Sequence, residues 1–253
     1  MRHSTRRYQQ ATDLDSWQSD ARIAERGFVH AWESRVGEDN GEDFFASMLE
    51  RLVGPDDVVL DVGCGHGELT LALADRARAA IGVDRDPGYL SLARELAGER
   101  GIGNVRFLEL DFSTDDARLP LADAPVTLVV NRRGPTADKW LDEARRVGRP
   151  GTPVLVMHPA GKPPRPGWAE EFEGLSDSCF GAIPYDQVRS WVEQPLVAAG
   201  ISDYQLWWFD VPEWFDTAED LRRRLGLRGH KLRGGLTLRH QRLVAQFRLP
   251  AGP

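Results

Sequence analysis

The sequence predicts a doubly wound α/β fold on a mostly parallel sheet. Between residues 58 and 158, five apolar segments alternate with helical ones at β-α-β spacing. The first of them, Val58, Val59, Leu60 and Val62, is mostly β-branched, with Asp56 and Asp57 before it and glycines after it. Such a run suits an inner strand buried on both faces. Asp61, Asp84, Asp111, Asn131 and His158 all fall at expected strand ends, where open α/β sheets hold their ligands. Any one acid there is also a reasonable helix N-cap.

Taken in order, residues 1–10 are polar and basic and are expected to fray. Residues 15–33 read as a helix with Trp17, Ile23, Phe28 and Trp32 inward, and Tyr8 adds to an aromatic lead segment. The expectation is an N-terminal helical cap over residues 1–40 and one domain over 41–253. Its core is 56–158, and 159–253 forms the substrate side and closing hairpin. Phe44, Phe45, Met48, Leu49 and Leu52 fall at helical spacing before Gly54-Pro55 stops the helix. Strands are expected at 79–84, at 105–112 ending in Asp111-Phe112, at 126–130 and at 154–158. Helices are expected at 87–97 and 140–147. Beyond His158 the pattern loosens into a proline-rich loop with Lys162 and Arg165, then a short helix at 168–175. A helix at 185–199 should kink or break at Pro195. An aromatic strand at 204–211, an insertion at 212–225 with a helix over 217–225, and a strand at 236–249 suggest an antiparallel ending.

A net charge of −7 gives no electrostatic footprint for nucleic acid. The two cysteines, Cys64 and Cys179, imply neither a disulfide framework nor a zinc site. There is no 18-residue apolar run and no apolar signal core at the N-terminus, so the expected compartment is the cytoplasm, with no membrane partner.

Chemistry concentrates in the turn Gly63-Cys64-Gly65-His66-Gly67. A dinucleotide fingerprint would need glycine at position 68, where Glu68 stands, and no G-K-[ST] follows. The helix beginning next points its free N–H groups at this turn. The bland reading is a strand-to-helix turn without a ligand. The spacing Asp61-x-Gly63-x-Gly65-x-Gly67 instead resembles motif I of the class I S-adenosylmethionine-dependent methyltransferases. An acid there makes chemical sense, since that cofactor carries an ammonium and a sulfonium but no phosphate.

The resemblance spans residues 56 to about 158, and the late strand-helix-strand is similar to that family's closing hairpin. It implies a Rossmann-like, seven-stranded sheet and S-adenosyl-L-methionine as cofactor. The implied binding set is Asp61, Gly63, Cys64, Gly65, Asp84, Arg85, Asp111, Phe112 and Asn131. Within it, Asp61, Gly63 and Gly65 hold the methionine moiety, and Asp84 takes both ribose hydroxyls. Asp111 and the Phe112 backbone read the adenine, on which Leu90 or Tyr89 packs, and Asn131 lies near the sulfonium. Members that methylate exocyclic base amines often carry [DN]-P-P-[YF] after strand four. Here Asn131-Arg132-Arg133-Gly134-Pro135 keeps only the Asn, which argues against that chemistry. Cys64, inside the glycine turn, reads as a small buried side chain and not as a base-attacking nucleophile.

Methyl transfer from a sulfonium chiefly needs the acceptor held in line and dry, with a base only if the acceptor must lose a proton. His158 is the first candidate base and His66 the second; the alternative for His158 is a hydrogen-bonded strand-end residue. Arg132 and Arg133 suit a carboxylate or phosphate on the substrate, or equally an ion pair with Asp111, Asp115 or Asp142. Trp168, Phe172, Phe180 and Trp207-Trp208-Phe209 read either as core or as the lining of an apolar pocket. The run Arg222-Arg223-Arg224, with Arg228, Lys231 and Arg233, reads as a solvated helix face or an RNA contact. The expected function is methyl transfer to O or N of a small-molecule acceptor. The alternatives are an RNA or protein methyltransferase, a non-catalytic cofactor-binding protein, and a nicotinamide dehydrogenase, which Glu68 disfavours.

Overall fold

The structure is a computed structural model that describes residues 6–8, 34–37, 41–123, 125–160, 185–224 and 236–250. The expected helices at 15–33 and 168–175 lie outside the described residues, as do Lys162, Arg165, Cys179, Arg228, Lys231 and Arg233. In chain order the elements begin with β1 (Arg6–Tyr8), β2 (Ser34–Val36), α1 (Glu42–Leu52), β3 (Val58–Val62) and α2 (Glu68–Ala74). Then come β4 (Ala79–Asp84), α3 (Pro87–Glu99), β5 (Val105–Glu109), β6 (Leu128–Arg132) and α4 (Ala137–Val147). The last are β7 (Pro153–Ala160), α5 (Tyr185–Ala198), β8 (Tyr204–Phe215), α6 (Ala218–Arg224) and β9 (Thr237–Arg248). The chain divides into two compact units, the larger made of 45–158, 189–207 and 243–253.

In the larger unit, which takes in residues 204–207 of β8 and 243–248 of β9, the strand order is β8-β9-β7-β6-β3-β4-β5. β3 pairs in parallel with β4 on one side and β6 on the other, β4 with β5, and β6 with β7. The order therefore reverses at β3, and the crevice at its carboxyl end is the switch point where such sheets bind ligands. All five residues of β3 are buried, as a strand covered on both faces requires. On one face, Leu71 of α2, Leu90, Ala93 and Ala97 of α3, and Phe107 of β5 form a common core. Leu90 is fully buried there, and Tyr89 beside it is half-buried.

Three local expectations are corrected. β6 begins at Leu128, two residues late, because Thr127 turns its hydroxyl to Asp57 Oδ1 at 2.7 Å and accepts from Val58 N–H at 2.9 Å. Asn131 and Arg132 therefore lie inside the strand. α5 runs through Pro195 to Ala198 without interruption. The lost N–H is outweighed by burial of Val192 and Leu196 on its inner face. β8 likewise continues through Pro212 to Phe215, where an insertion was expected.

In the smaller unit, Arg6–Tyr8 does not fray but pairs antiparallel with Ser34–Val36, which pairs in turn with Glu213–Phe215. Arg242 and Glu42 form an ion pair at 3.6 Å with side chains 3% and 10% exposed. Breaking such a pair from one side leaves a buried charge. Among the described residues no helix is long and apolar enough to cross a membrane.

Candidate functional site

β3 ends at Val62 and the chain turns through Gly63, Gly65 and Gly67, all in the left-handed region. The N–H groups of Gly63 and Cys64 both donate to the Val83 carbonyl, at 2.8 and 3.0 Å, and strap the turn to β4. The glycines were expected to leave room for a ligand, but two are demanded by the protein itself. A Cβ on Gly63 would meet the Gly134 Cα at 2.5 Å, and one on Gly67 would meet the Phe107 ring at 2.8 Å. Cys64 is packed against the α2–α3 core, and burial pushes its thiol far up.

Two carboxylates stand at adjacent strand ends. Asp61 is 2% exposed, and its Oδ2 accepts from the Thr70 hydroxyl at 2.6 Å. Burial pushes its carboxyl up to about 6; the Thr70 bond and the Arg132 charge pull it down, and Asp84 pushes it up. Asp84 is held by two backbone donors, Gly65 N–H on Oδ2 at 2.8 Å and Asp86 N–H on Oδ1 at 3.0 Å. Asp86 then caps α3 through the N–H groups of Gly88 and Tyr89. Just beyond β5, Asp111 accepts from Ser113 N–H at 2.8 Å. Hydrogen bonds from Ser113, aided by the charge of Arg85, hold its carboxyl below the ordinary range. Phe112 beside it is buried, and Arg85 is exposed.

The end of β6 closes over the glycine turn. Asn131 is fully buried and spends both ends of its amide on its own loop. Its Oδ1 accepts from Gly134 N–H at 2.9 Å, and its Nδ2 donates to the Pro135 carbonyl at 2.8 Å. Trp140 Nε1 donates to the same carbonyl at 3.0 Å. Asn131 thus shapes the loop that packs on Gly63, and its amide is not turned toward a ligand. Arg133 takes a left-handed φ of 66° and donates its N–H to the Met157 carbonyl at 2.7 Å. Arg132 lies 3.7 Å from Glu68 at the start of α2. Asp142, one of the acids expected near it, lies 3.5 Å from Arg145.

His158 sits near the end of β7, 8% exposed, and among the described residues its Nε2 has no hydrogen-bond partner. Burial pushes its imidazole down to about 4, so it is neutral at ordinary pH. His66 is also buried, not solvent-facing, and its imidazole is lowered by burial. Trp207, Trp208 and Phe209 are half-buried in β8, and Phe209 stacks at 5.2 Å from Phe44 in the smaller unit. Arg222 pairs with Glu219 at 3.7 Å along α6, as a helix face would. A groove of about 460 Å³ between α4 and α5 is lined by Thr136, Asp138, Ser190, Trp191, Gln194 and Pro195, and by none of the acids above.

Hydrogen bonds and packing thus join Asp61, Gly63, Cys64, Gly65, Asp84, Asn131 and Arg132 around one turn. Asp111 and Phe112 stand at the end of a neighbouring strand. Thr70, Glu68 and Gly134 belong to the same arrangement, and of these Thr70 was not singled out in the sequence. A signal existed for Thr70, the one hydroxyl in Glu-Leu-Thr-Leu-Ala-Leu-Ala. Two fixed carboxylates beside an open backbone turn suit a ligand bearing a cation at one end and hydroxyls at the other.

Residues 59–151 match the family described as a methyltransferase domain. A 23S rRNA (uracil(1939)-C(5))-methyltransferase, RlmD, of Stenotrophomonas maltophilia (strain K279a) is 35% identical over 107 residues, 42% of this chain and 20% of that protein. The chain spans about a fifth of the length of the curated relatives it matches. Among solved structures, a functionally unknown protein from Deinococcus radiodurans R1 superposes with a TM-score of 0.62 at 23% identity, over 93% of this chain and 99% of that one. A SAM dependent methyltransferase from Aquifex aeolicus superposes with a TM-score of 0.50 at 15% identity, over 81% and 89%. At those identities the likeness is one of fold.

Proposed function

We propose that this chain, whose residues 59–151 match the family described as a methyltransferase domain, transfers a methyl group from S-adenosylmethionine to O or N of a small-molecule acceptor. The observation that carries the reading is the coupled pair of acids, with Asp84 tied to the glycine turn through Gly65 and Asp61 buried behind it. In this reading Asp61 faces the methionine ammonium and Asp84 the ribose hydroxyls. Asp111 and the Phe112 backbone face the adenine. When bound, the cofactor supplies an electrophilic methyl group. The chain's part is to orient it and to exclude water around it. His158, neutral and with no partner for Nε2 among the described residues, is the candidate to accept a proton from a hydroxyl or amine acceptor, and burial that lowers its imidazole to about 4 makes it a weak base.

The RlmD likeness favours a second reading, an RNA acceptor. Carbon methylation of a pyrimidine calls for a nucleophile that first adds to the ring, and the Cys64 thiol, buried and pushed far up, is unsuited to that. The net charge of −7 also disfavours a polyanion. Calorimetric titration with S-adenosylmethionine, S-adenosylhomocysteine and NAD tests the cofactor. Micromolar binding of the two sulfur ligands without NAD is expected. Transfer of labelled methyl to low-molecular-weight hydroxyl or amine compounds, and none to RNA, is the expected second result. Labelled RNA would replace the acceptor assignment with the second reading.

A further inference from the structure

Thr70 is fully buried on α2, the helix that follows the glycine turn. Its neighbours Leu71, Leu73 and Ala74 are buried and apolar. A helix face packed on a sheet has no need of a hydroxyl, and threonine is a weaker helix former than leucine or alanine. Threonine in a helix commonly returns its hydroxyl to a carbonyl one turn back. This one donates instead to Asp61 Oδ2 at 2.6 Å, the short length typical of a bond to a carboxylate. Among the described residues no donor is recorded to Oδ1 of Asp61.

We propose that Thr70 is a positioning residue of the cofactor site, fixing one oxygen of the Asp61 carboxylate so that the other meets the cationic methionine end of the cofactor. The inference rests on the cofactor reading above. Among the described residues this carboxylate is faced by Thr70 from α2, Arg132 from β6, Asp84 from β4 and the Cys64 thiol of the glycine turn, which Thr70 also bonds. Arg132 and Asp84 act through charge and in opposite senses, while Thr70 supplies the direct hydrogen bond. Removing the hydroxyl leaves a buried carboxylate free to rotate and easier to protonate. Serine keeps the donor, and valine keeps the shape without it.

The test measures S-adenosylhomocysteine and 5′-methylthioadenosine binding to wild type, Thr70→Val and Thr70→Ser, near pH 6.5 and near pH 8. The second ligand lacks the amino-acid portion, so it reports on folding and on the adenosine end alone. Thr70→Val should weaken S-adenosylhomocysteine by about tenfold or more, most at the lower pH, and leave 5′-methylthioadenosine unchanged. Thr70→Ser should restore wild-type affinity. Equal S-adenosylhomocysteine affinity in Thr70→Val, parallel loss of both ligands, or failure of serine to rescue would each overturn the assignment. A wild-type protein that binds neither ligand would sink the cofactor reading itself, and this inference with it.

Discussion

The backbone N–H of Gly65 donates to Oδ2 of Asp84 at 2.8 Å, which makes the middle glycine of the turn and the acid at the end of β4 one unit. The Asp86 N–H holds the other oxygen at 3.0 Å. The carboxylate is therefore oriented before any ligand arrives, and less of the binding free energy goes into ordering it. Asp84→Ala should lower S-adenosylhomocysteine affinity by roughly 10- to 100-fold, the usual cost of losing charged hydrogen bonds. Isothermal titration measures it, and unchanged affinity would sink the ribose assignment.

Gly63 and Gly134 should be the least replaceable glycines of the site. A Cβ at Gly63 meets the Gly134 Cα at 2.5 Å, and its φ of 74° is unfavourable for any other residue. A Cβ at Gly134 runs into the Val62 carbonyl oxygen. Both obstacles are backbone and cannot rotate away. Gly63→Ala and Gly134→Ala should each destabilise by about 2 kcal/mol or more in urea unfolding. Gly98, inside α3 with nothing within 4 Å of a built Cβ, is the contrast. Gly98→Ala should stabilise by about 0.5–1 kcal/mol.

β3 and the acids after it were legible because a parallel strand buried on both faces has to be a continuous apolar run. A polar residue in such a run, as at Asp61, stands out. The start of β6 was not legible, because Val126 and Thr127 look like strand until Thr127 is seen bound to Asp57 and Val58. The pairing of Arg6–Tyr8 with Ser34–Val36 joins two three-residue strands far apart in sequence with no alternation to announce them. Pro195 and Pro212 broke a local rule that burial around them overrode. Asn131 was found by its position at a strand end, but its work inside the loop depends on Gly134 and Pro135. Thr70 stayed hidden because its partner lies nine residues upstream on another element.

His158 should govern acid stability. Its imidazole is lowered from 6.5 to about 4 by burial. A lowered folded value means that the unfolded chain takes up the proton first as pH falls. The contribution is present above about 6.5 and is lost as pH drops through 4, by at most about 3 kcal/mol. In urea unfolding from pH 7 to 4, wild type should lose stability relative to His158→Gln over that window. Parallel curves would mean that the ring is not held neutral in the fold. The Asp61 contribution is common to both proteins and cancels in the difference.

Asp61 carries the opposite sign. Burial raises its carboxyl from 3.8 to about 6, so its favourable contribution is present below about 3.8 and is lost as pH rises through 6. Wild type should therefore lose up to about 3 kcal/mol relative to Asp61→Asn between about pH 4 and 7, with little further change above. Asparagine keeps an oxygen for the Thr70 hydroxyl and removes the buried charge. At neutral pH Asp61→Asn should thus be the more stable protein and the poorer binder of S-adenosylhomocysteine. That exchange of stability for a charged site is expected where a buried acid is kept for a cationic ligand. A variant that gained stability and bound as well as wild type would show that the charge of Asp61 faces no cation.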